Sequence, residues 1–87
     1  MAWYLYMVQC RDGRFYTGIT TDLKRRMQEH RTNRGSKFVR AFGFKRLLYT
    51  ERLRTRSKAL RREANIKKLS RAAKKALIAA AHSPDRP

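Results

Sequence analysis

The sequence predicts a small α+β domain: a three-stranded, mainly antiparallel sheet flanked by helices, in the order β-β-α-β-α-α. Three observations carry that expectation. Two apolar, aromatic-rich runs, WYLYMVQC at 3–10 and FYTGIT at 15–20, are separated by the turn-forming RDG. A third strand-like run, FKRLLYTE at 44–51, follows a glycine-bounded segment. Capped stretches of helical character follow the second strand and the third. At 87 residues there is enough chain for one modest core and too little for two. The domain is therefore assigned to residues 1–81, with HSPDRP at 82–87 as a flexible C-terminal tail.

Each element has its own local reason. The run from Trp3 to Cys10 is rich in aromatic and apolar side chains, as expected of a well-buried strand. RDG fits a three-residue loop in which Gly13, its last residue, takes the left-handed position. Thr21 or Asp22 caps a helix running to about residue 32. TNRGSKFVRAFG reads as a loop containing a short helix around Lys37 to Ala41. Thr55 or Ser57 begins a long helix to about Leu69, and Ser70 caps an Ala-rich final helix that stops before Pro84.

The formal net charge is +17, with 23 Lys and Arg against 6 acidic residues. Such a field calls for a polyanionic partner, nucleic acid first and an anionic membrane surface second. The run from Ala2 to Val8 is too short for a signal peptide or a membrane span and reads as a strand; nucleic acid and no membrane is the partner expected. A single cysteine, Cys10, leaves no intramolecular disulfide framework, and no Cys/His spacing suggests zinc. A reducing, cytoplasmic setting fits.

Three placements exceed what packing requires. In the first helix Leu23, Arg26, Met27 and His30 follow the i, i+3, i+4, i+7 pattern of one stripe, so two polar residues share the buried face. Glu63 is the only acidic residue between Arg52 and Lys75, and its helical phase faces the protein body, whereas Lys58, Arg61, Asn65 and Lys68 face outward. An inward carboxylate needs a cation; Arg26 or a divalent metal would serve, and Lys67 at i+4 is the bland alternative. Finally, a three-residue hairpin loop puts Tyr6, Tyr16 and Gly18 on one sheet face, with the glycine opposite the Tyr6 phenol.

These residues resemble a known group. YLY at 4–6 and YTG at 16–18, with TTDLKRRMQEH and then EANIKKL downstream, look like the motifs of the GIY-YIG nuclease superfamily, in its small stand-alone form. Leu5 and Tyr4 replace the isoleucine and glycine of the first motif, and Thr17 replaces the isoleucine of the second. The resemblance implies an endonuclease that hydrolyses phosphodiester bonds in DNA, single-stranded or structured DNA included, with one divalent ion, Mg²⁺ or Mn²⁺. It matches Tyr6, Tyr16, Arg26, His30 and Glu63 to the catalytic positions, with Glu63 as the metal ligand. No role passes to Asn65, which lies on the opposite helix face from Glu63.

Gly18 and Thr20 are expected to support the site. Lys24, Arg25, Lys37, Arg40 and Lys67 are expected to follow the nucleic-acid backbone, DNA rather than RNA, without a small-molecule cofactor. Phe38 and Phe42 are the aromatic residues best placed to stack on bases. The competing expectation is a nucleic-acid-binding module that keeps the nuclease fold without turnover. A basic accessory protein of a ribonucleoprotein or of an anionic membrane surface is a further alternative.

Overall fold

The computed structural model describes residues 2–81. The segment 82–87, expected above as a tail, lies outside the described residues. The elements are β1 (Trp3–Cys10), β2 (Phe15–Thr20), α1 (Leu23–Arg31), α2 (Lys37–Phe42), β3 (Phe44–Leu53), α3 (Arg56–Lys67) and α4 (Arg71–Ala81). The short helix expected inside the glycine-bounded segment is α2. The sheet is antiparallel throughout, in the order β2-β1-β3.

The central position of β1 explains its composition. Tyr6, Val8 and Cys10 face one layer, where Met27 of α1 and Val39 of α2 complete a buried cluster. Leu5 and Met7 face the other, closed by Ile66 of α3 and, at its margin, Leu77 and Ile78 of α4. A strand covered on both faces has no solvent side on which to place polar residues.

The hairpin closes through Cys10, whose N–H donates to the Arg14 carbonyl at 2.7 Å, while the Gly13 N–H donates to the Cys10 carbonyl at 2.9 Å. Gly13 has φ +93°, the left-handed side that a three-residue loop requires of its last member. The resulting register pairs Tyr6 with Gly18 and Val8 with Tyr16. On the other side of β1 the ladder shifts twice, between Met7 and Val8 and between Gln9 and Cys10. Each shift inverts the facing of β3, so the two cancel; together they slide the strand by two residues and bring Phe44 opposite Cys10, on the layer of α1.

Side-chain caps fix where the helices begin. The N–H of Arg25 donates to Asp22 Oδ1 at 3.0 Å, that of Lys58 to the Thr55 hydroxyl at 3.1 Å, and that of Ala73 to the Ser70 hydroxyl at 3.1 Å. Beyond α1 the chain turns at Asn33, with φ +63°, the left-handed step that commonly ends a helix. Two polar ties hold the layers behind the sheet. Arg71 donates to the Gly13 carbonyl at 3.0 Å and lies 4.2 Å from the Phe15 ring centroid. Arg62 of α3 grips Glu51 of β3 through Nε and Nη2, with bonds of 2.8 to 3.0 Å, and the Tyr49 hydroxyl donates to the same carboxylate. Burial works to raise the Glu51 pKa, but these hydrogen bonds and the Arg62 charge hold the carboxyl below its usual range.

A Cβ on Gly13 would meet nothing nearer than Arg71 Nη2 at 4.0 Å, so a substitution there strains only the backbone. Gly13→Ala is therefore expected to lower unfolding free energy by about 1 to 2 kcal/mol without changing the denaturant m-value, as measured by urea titration.

Candidate active site

The hairpin register brings two phenols together. Tyr6 is 2% exposed, and its ring centroid lies 6.2 Å from that of Tyr16. The space is provided by Gly18, because a Cβ there would sit 2.6 Å from the Tyr6 hydroxyl oxygen and 3.1 Å from the Tyr16 ring. Gly18 is therefore what leaves room for the Tyr6 hydroxyl beside the Tyr16 ring.

The buried stripe of α1 supplies the next groups. His30 is 2% exposed and its Nε2 lies 2.9 Å from the Tyr6 hydroxyl. Its ring is nearly parallel to that of Phe44, with 5° between the planes and 6.2 Å between centroids. Its Nδ1 is buried without a hydrogen-bond partner. Arg26, one turn earlier, is only partly covered, and its Nε is a second buried polar atom without a partner. Two unsatisfied polar atoms on one helix stripe each cost about 1–3 kcal/mol, and a bound ligand is one reason to keep them.

The electrostatics set protonation states. Burial, with the Arg26 charge adding to it and Glu29 opposing, pushes the His30 imidazole below its ordinary 6.5. At neutral pH the ring is therefore uncharged and offers one nitrogen as an acceptor. The Tyr6 phenol is driven well above the ordinary phenol range, chiefly by burial; Tyr16 and Glu63 add to the shift and Arg26 opposes it. Tyr6 thus keeps its proton, and Arg26, Tyr16 and Glu63 are all close enough to be felt at its oxygen.

Glu63 arrives from the other layer. Its side chain is 18% exposed, in keeping with an inward phase, and its Oε2 lies 3.5 Å from Lys67 Nζ. The i+4 lysine is thus the cation that faces this carboxylate. Arg26, considered for that part from the sequence, reaches instead to Glu29 at 3.4 Å. Three residues separate the pair along the helix, which keeps them adjacent on its surface.

Thr20 has a different kind of contact. Its hydroxyl accepts from the Asp22 N–H at 3.1 Å and donates to the Asp22 carbonyl at 3.3 Å, so it shapes the start of α1. Lys24, Arg25, Lys37 and Arg40 are exposed, and Lys67 is 53% exposed beside Glu63. Lys24 and Arg25 border an open groove of about 610 Å³ along α1, which Arg34 joins from the following turn. Asp22 and Glu29 line the same groove, and neither phenol does.

Phe38 and Phe42 are employed internally. Phe38 stacks on Tyr16 with centroids 5.7 Å apart, and Phe42 packs on Phe38 under the Arg14 guanidinium. Both rings are partly buried against the core, so the faces once considered for base stacking are committed to the fold. Gly35 was not singled out from the sequence, yet a Cβ at that position would overlap the His30 imidazole. The loop after α1 passes directly against the ring; the glycine in TNRGSKF was the available signal.

With this geometry in view, the comparisons are specific. The profile of the GIY-YIG catalytic domain matches residues 2–76. The chain belongs to the GIY-YIG family. It is 46% identical over 75 residues to a UPF0213 protein of Halobacterium salinarum, covering 86% of this chain and 97% of that one. The UPF0213 protein YhbQ of Escherichia coli K12 is 40% identical over 77 residues, covering 88% and 77%. Among solved structures, the solution structure of a UPF0213 protein from Bacillus halodurans is 39% identical with a TM-score of 0.61, covering 97% and 89%. A solution structure of an E. faecalis protein is 36% identical with a TM-score of 0.65, covering 100% and 93%. This GIY-YIG chain thus has relatives of similar extent, and among its described residues no helix is long and apolar enough to cross a membrane.

The His30 shift has a measurable consequence. Above about pH 6.5 the ring is neutral both folded and unfolded, so it makes no pH-dependent contribution. Below that, the unfolded chain takes up the proton first, and stability falls until the folded-state pKa is passed. Thermal melting from pH 8 to pH 4 is expected to show this acid-side loss, and His30→Gln to flatten it.

Proposed function

We propose that this chain is a divalent-ion-dependent endonuclease acting on DNA, with Tyr6, Tyr16, Arg26, His30 and Glu63 as its working residues. The observation that carries the reading is the buried cluster itself: a neutral imidazole bonded to a protonated phenol, with Arg26 and its unpartnered Nε on the same helix stripe. An N–H donor held on a positive charge suits a phosphate oxygen. Membership in a nuclease superfamily supports the same reaction class.

The donor set fits a hard cation of the Mg²⁺ kind. Among the described residues no three His, Cys, Asp or Glu side chains converge on one point, and Glu63 supplies one largely covered carboxylate. Mg²⁺ and Mn²⁺ are commonly held by one or two carboxylates together with water and substrate phosphate oxygens. Glu63 would hold the ion, exchanging its contact with Lys67 for it; when bound, the ion neutralises charge on the phosphate and on the departing oxygen.

The chain's own residues do the rest. Arg26 binds a non-bridging oxygen of the scissile phosphate and stabilises the charge that grows there. Tyr6 and Tyr16 orient the attacking water between their hydroxyls. As the water adds to phosphorus, Tyr6 accepts its proton and passes its own phenolic proton to His30 Nε2, so no free phenolate is needed. Lys24, Arg25, Lys37 and Arg40 hold the strand through its backbone, and Lys67 takes part once Glu63 has turned to its ion.

A non-catalytic nucleic-acid-binding module is the second reading, favoured by Asn65 standing exposed on α3, turned away from Glu63, so that it adds no amide to the cluster. Purified protein incubated with single-stranded DNA, double-stranded DNA and RNA, with Mg²⁺, Mn²⁺ or chelator, separates the two. Cleavage is expected only with the ion, with loss of about 100-fold or more in Glu63→Gln and in Arg26→Ala. Binding without cleavage on every substrate, or cleavage that survives Glu63→Gln, would reject the nuclease reading.

Backbone tracking is tested separately. The double variant Lys24→Ala, Arg25→Ala is expected to reduce the slope of log K against log salt by about 2, one for each phosphate no longer neutralised, similarly for all sequences.

A further inference from the structure

Arg62 and Glu63 are neighbours in sequence with opposite tasks. Successive helix residues turn by about 100°, so these two leave α3 on either flank of the buried Ala59–Ile66 stripe, each about 50° from it. Arg62 reaches to Glu51 on the β3 side, through the two-nitrogen grip described above. Glu63 leaves the other flank, toward β2, the strand of Tyr16 and Gly18, which α3 also touches and which lies across β1 from β3. The apolar seat of α3 on the sheet is small: an alanine and an isoleucine are its fully buried residues. So slight a ridge offers little resistance to the helix rolling about its axis, and a roll would swing Glu63 toward or away from the phenols.

We propose that the Glu51–Arg62 pair is a positioning clamp that sets the roll of α3 and thereby aims Glu63 into the site. A planar guanidinium bound through two nitrogens to one carboxylate fixes direction as well as distance. The Tyr49 hydroxyl orients the carboxylate from its own strand, two residues away. Among the described residues it is the one ion pair between α3 and the sheet. The clamp rests on the nuclease reading only for its use; the aiming of Glu63 is a structural property that stands without it.

The test uses the whole chain labelled with ¹³C-glutamate, as wild type, Glu51→Gln, Arg62→Lys and Gly13→Ala. Mn²⁺ is titrated while the Glu63 side-chain resonances are followed, and melting temperatures are recorded. Glu51→Gln and Arg62→Lys are expected to shift the Glu63 resonances in the ion-free protein and to raise the Mn²⁺ midpoint for their broadening about 10-fold, the usual scale for losing a residue that orients a ligand. Gly13→Ala, which loses stability at a distant turn, is expected to keep that midpoint within about twofold of wild type, the additive outcome for separated sites.

Unchanged Glu63 resonances in both clamp variants would overturn the proposal. So would an equal displacement in Gly13→Ala, since the effect would then follow from lost stability. If wild-type Glu63 shows no broadening with Mn²⁺, the ion-dependent reading fails, and the ion-free resonances still decide the clamp: displaced in both variants it stands, unmoved it falls.

Discussion

The pairing of Tyr6 with Gly18 across the β1–β2 hairpin is the constraint on which the rest of the site depends. A side chain at position 18 would collide with the phenol, and a shift of one residue in the register would send Tyr16 to the opposite face of the sheet. The three-residue loop sets that register, and Gly13 takes its left-handed position with the least backbone strain. With the register set, the Tyr6 hydroxyl reaches His30 at 2.9 Å, and α1 must lie with its Met27–His30 stripe against this face. The loop length and a strand glycine thus govern where a phenol and an imidazole meet.

The site combines groups whose burial works against charge with others that supply it. His30 and Tyr6 are both driven toward their neutral forms, so they are suited to moving a proton rather than holding an ionic charge. Charge comes from partly covered residues at the margin: Arg26, facing Glu29, and Glu63, facing Lys67. Both pairs are long, at 3.4 and 3.5 Å, and lie between neighbours on one helix, where such contacts contribute only a few tenths of a kcal/mol. Weak internal partners can be exchanged for a phosphate or a cation at little cost. This contrasts with Glu51–Arg62, held through two nitrogens and assisted by Tyr49, which is built to stay in place. The protein keeps its firm ion pair for architecture and its loose ones for the candidate site.

The remaining positive charge is spread over solvent-facing surfaces. Lys24 and Arg25 line the groove beside α1, while Lys37 and Arg40 stand on α2. Aromatic side chains near these cations are occupied: Phe42 lies under Arg14, Phe15 under Arg71, and Phe38 against Tyr16. On the proposed reading this surface would meet nucleic acid through its phosphates, which gives affinity with little sequence information.

The sequence by itself determined the order of elements, the turn and the helix caps, because these depend on residues within a few positions of one another. RDG is one loop, Ser70 is a cap, and the Leu23–His30 stripe has one buried face; from the pairs the sequence left open, the structure takes Asp22 over Thr21 and Thr55 over Ser57. It also indicated that Tyr6, Tyr16 and Gly18 share a sheet face, since strand parity follows once the loop length is known. Only the tertiary structure decided which partners the charged groups take. Glu63 meets Lys67, Arg26 meets Glu29, and Arg62 crosses from α3 to Glu51. Nor could the sequence place Phe44 beside His30, which depends on two irregularities in the β1–β3 ladder, or press Gly35 onto the imidazole. The reason is physical: a period of 2 or 3.6 specifies the direction of a side chain relative to its own element, whereas its partner depends on how elements roll and slide against each other.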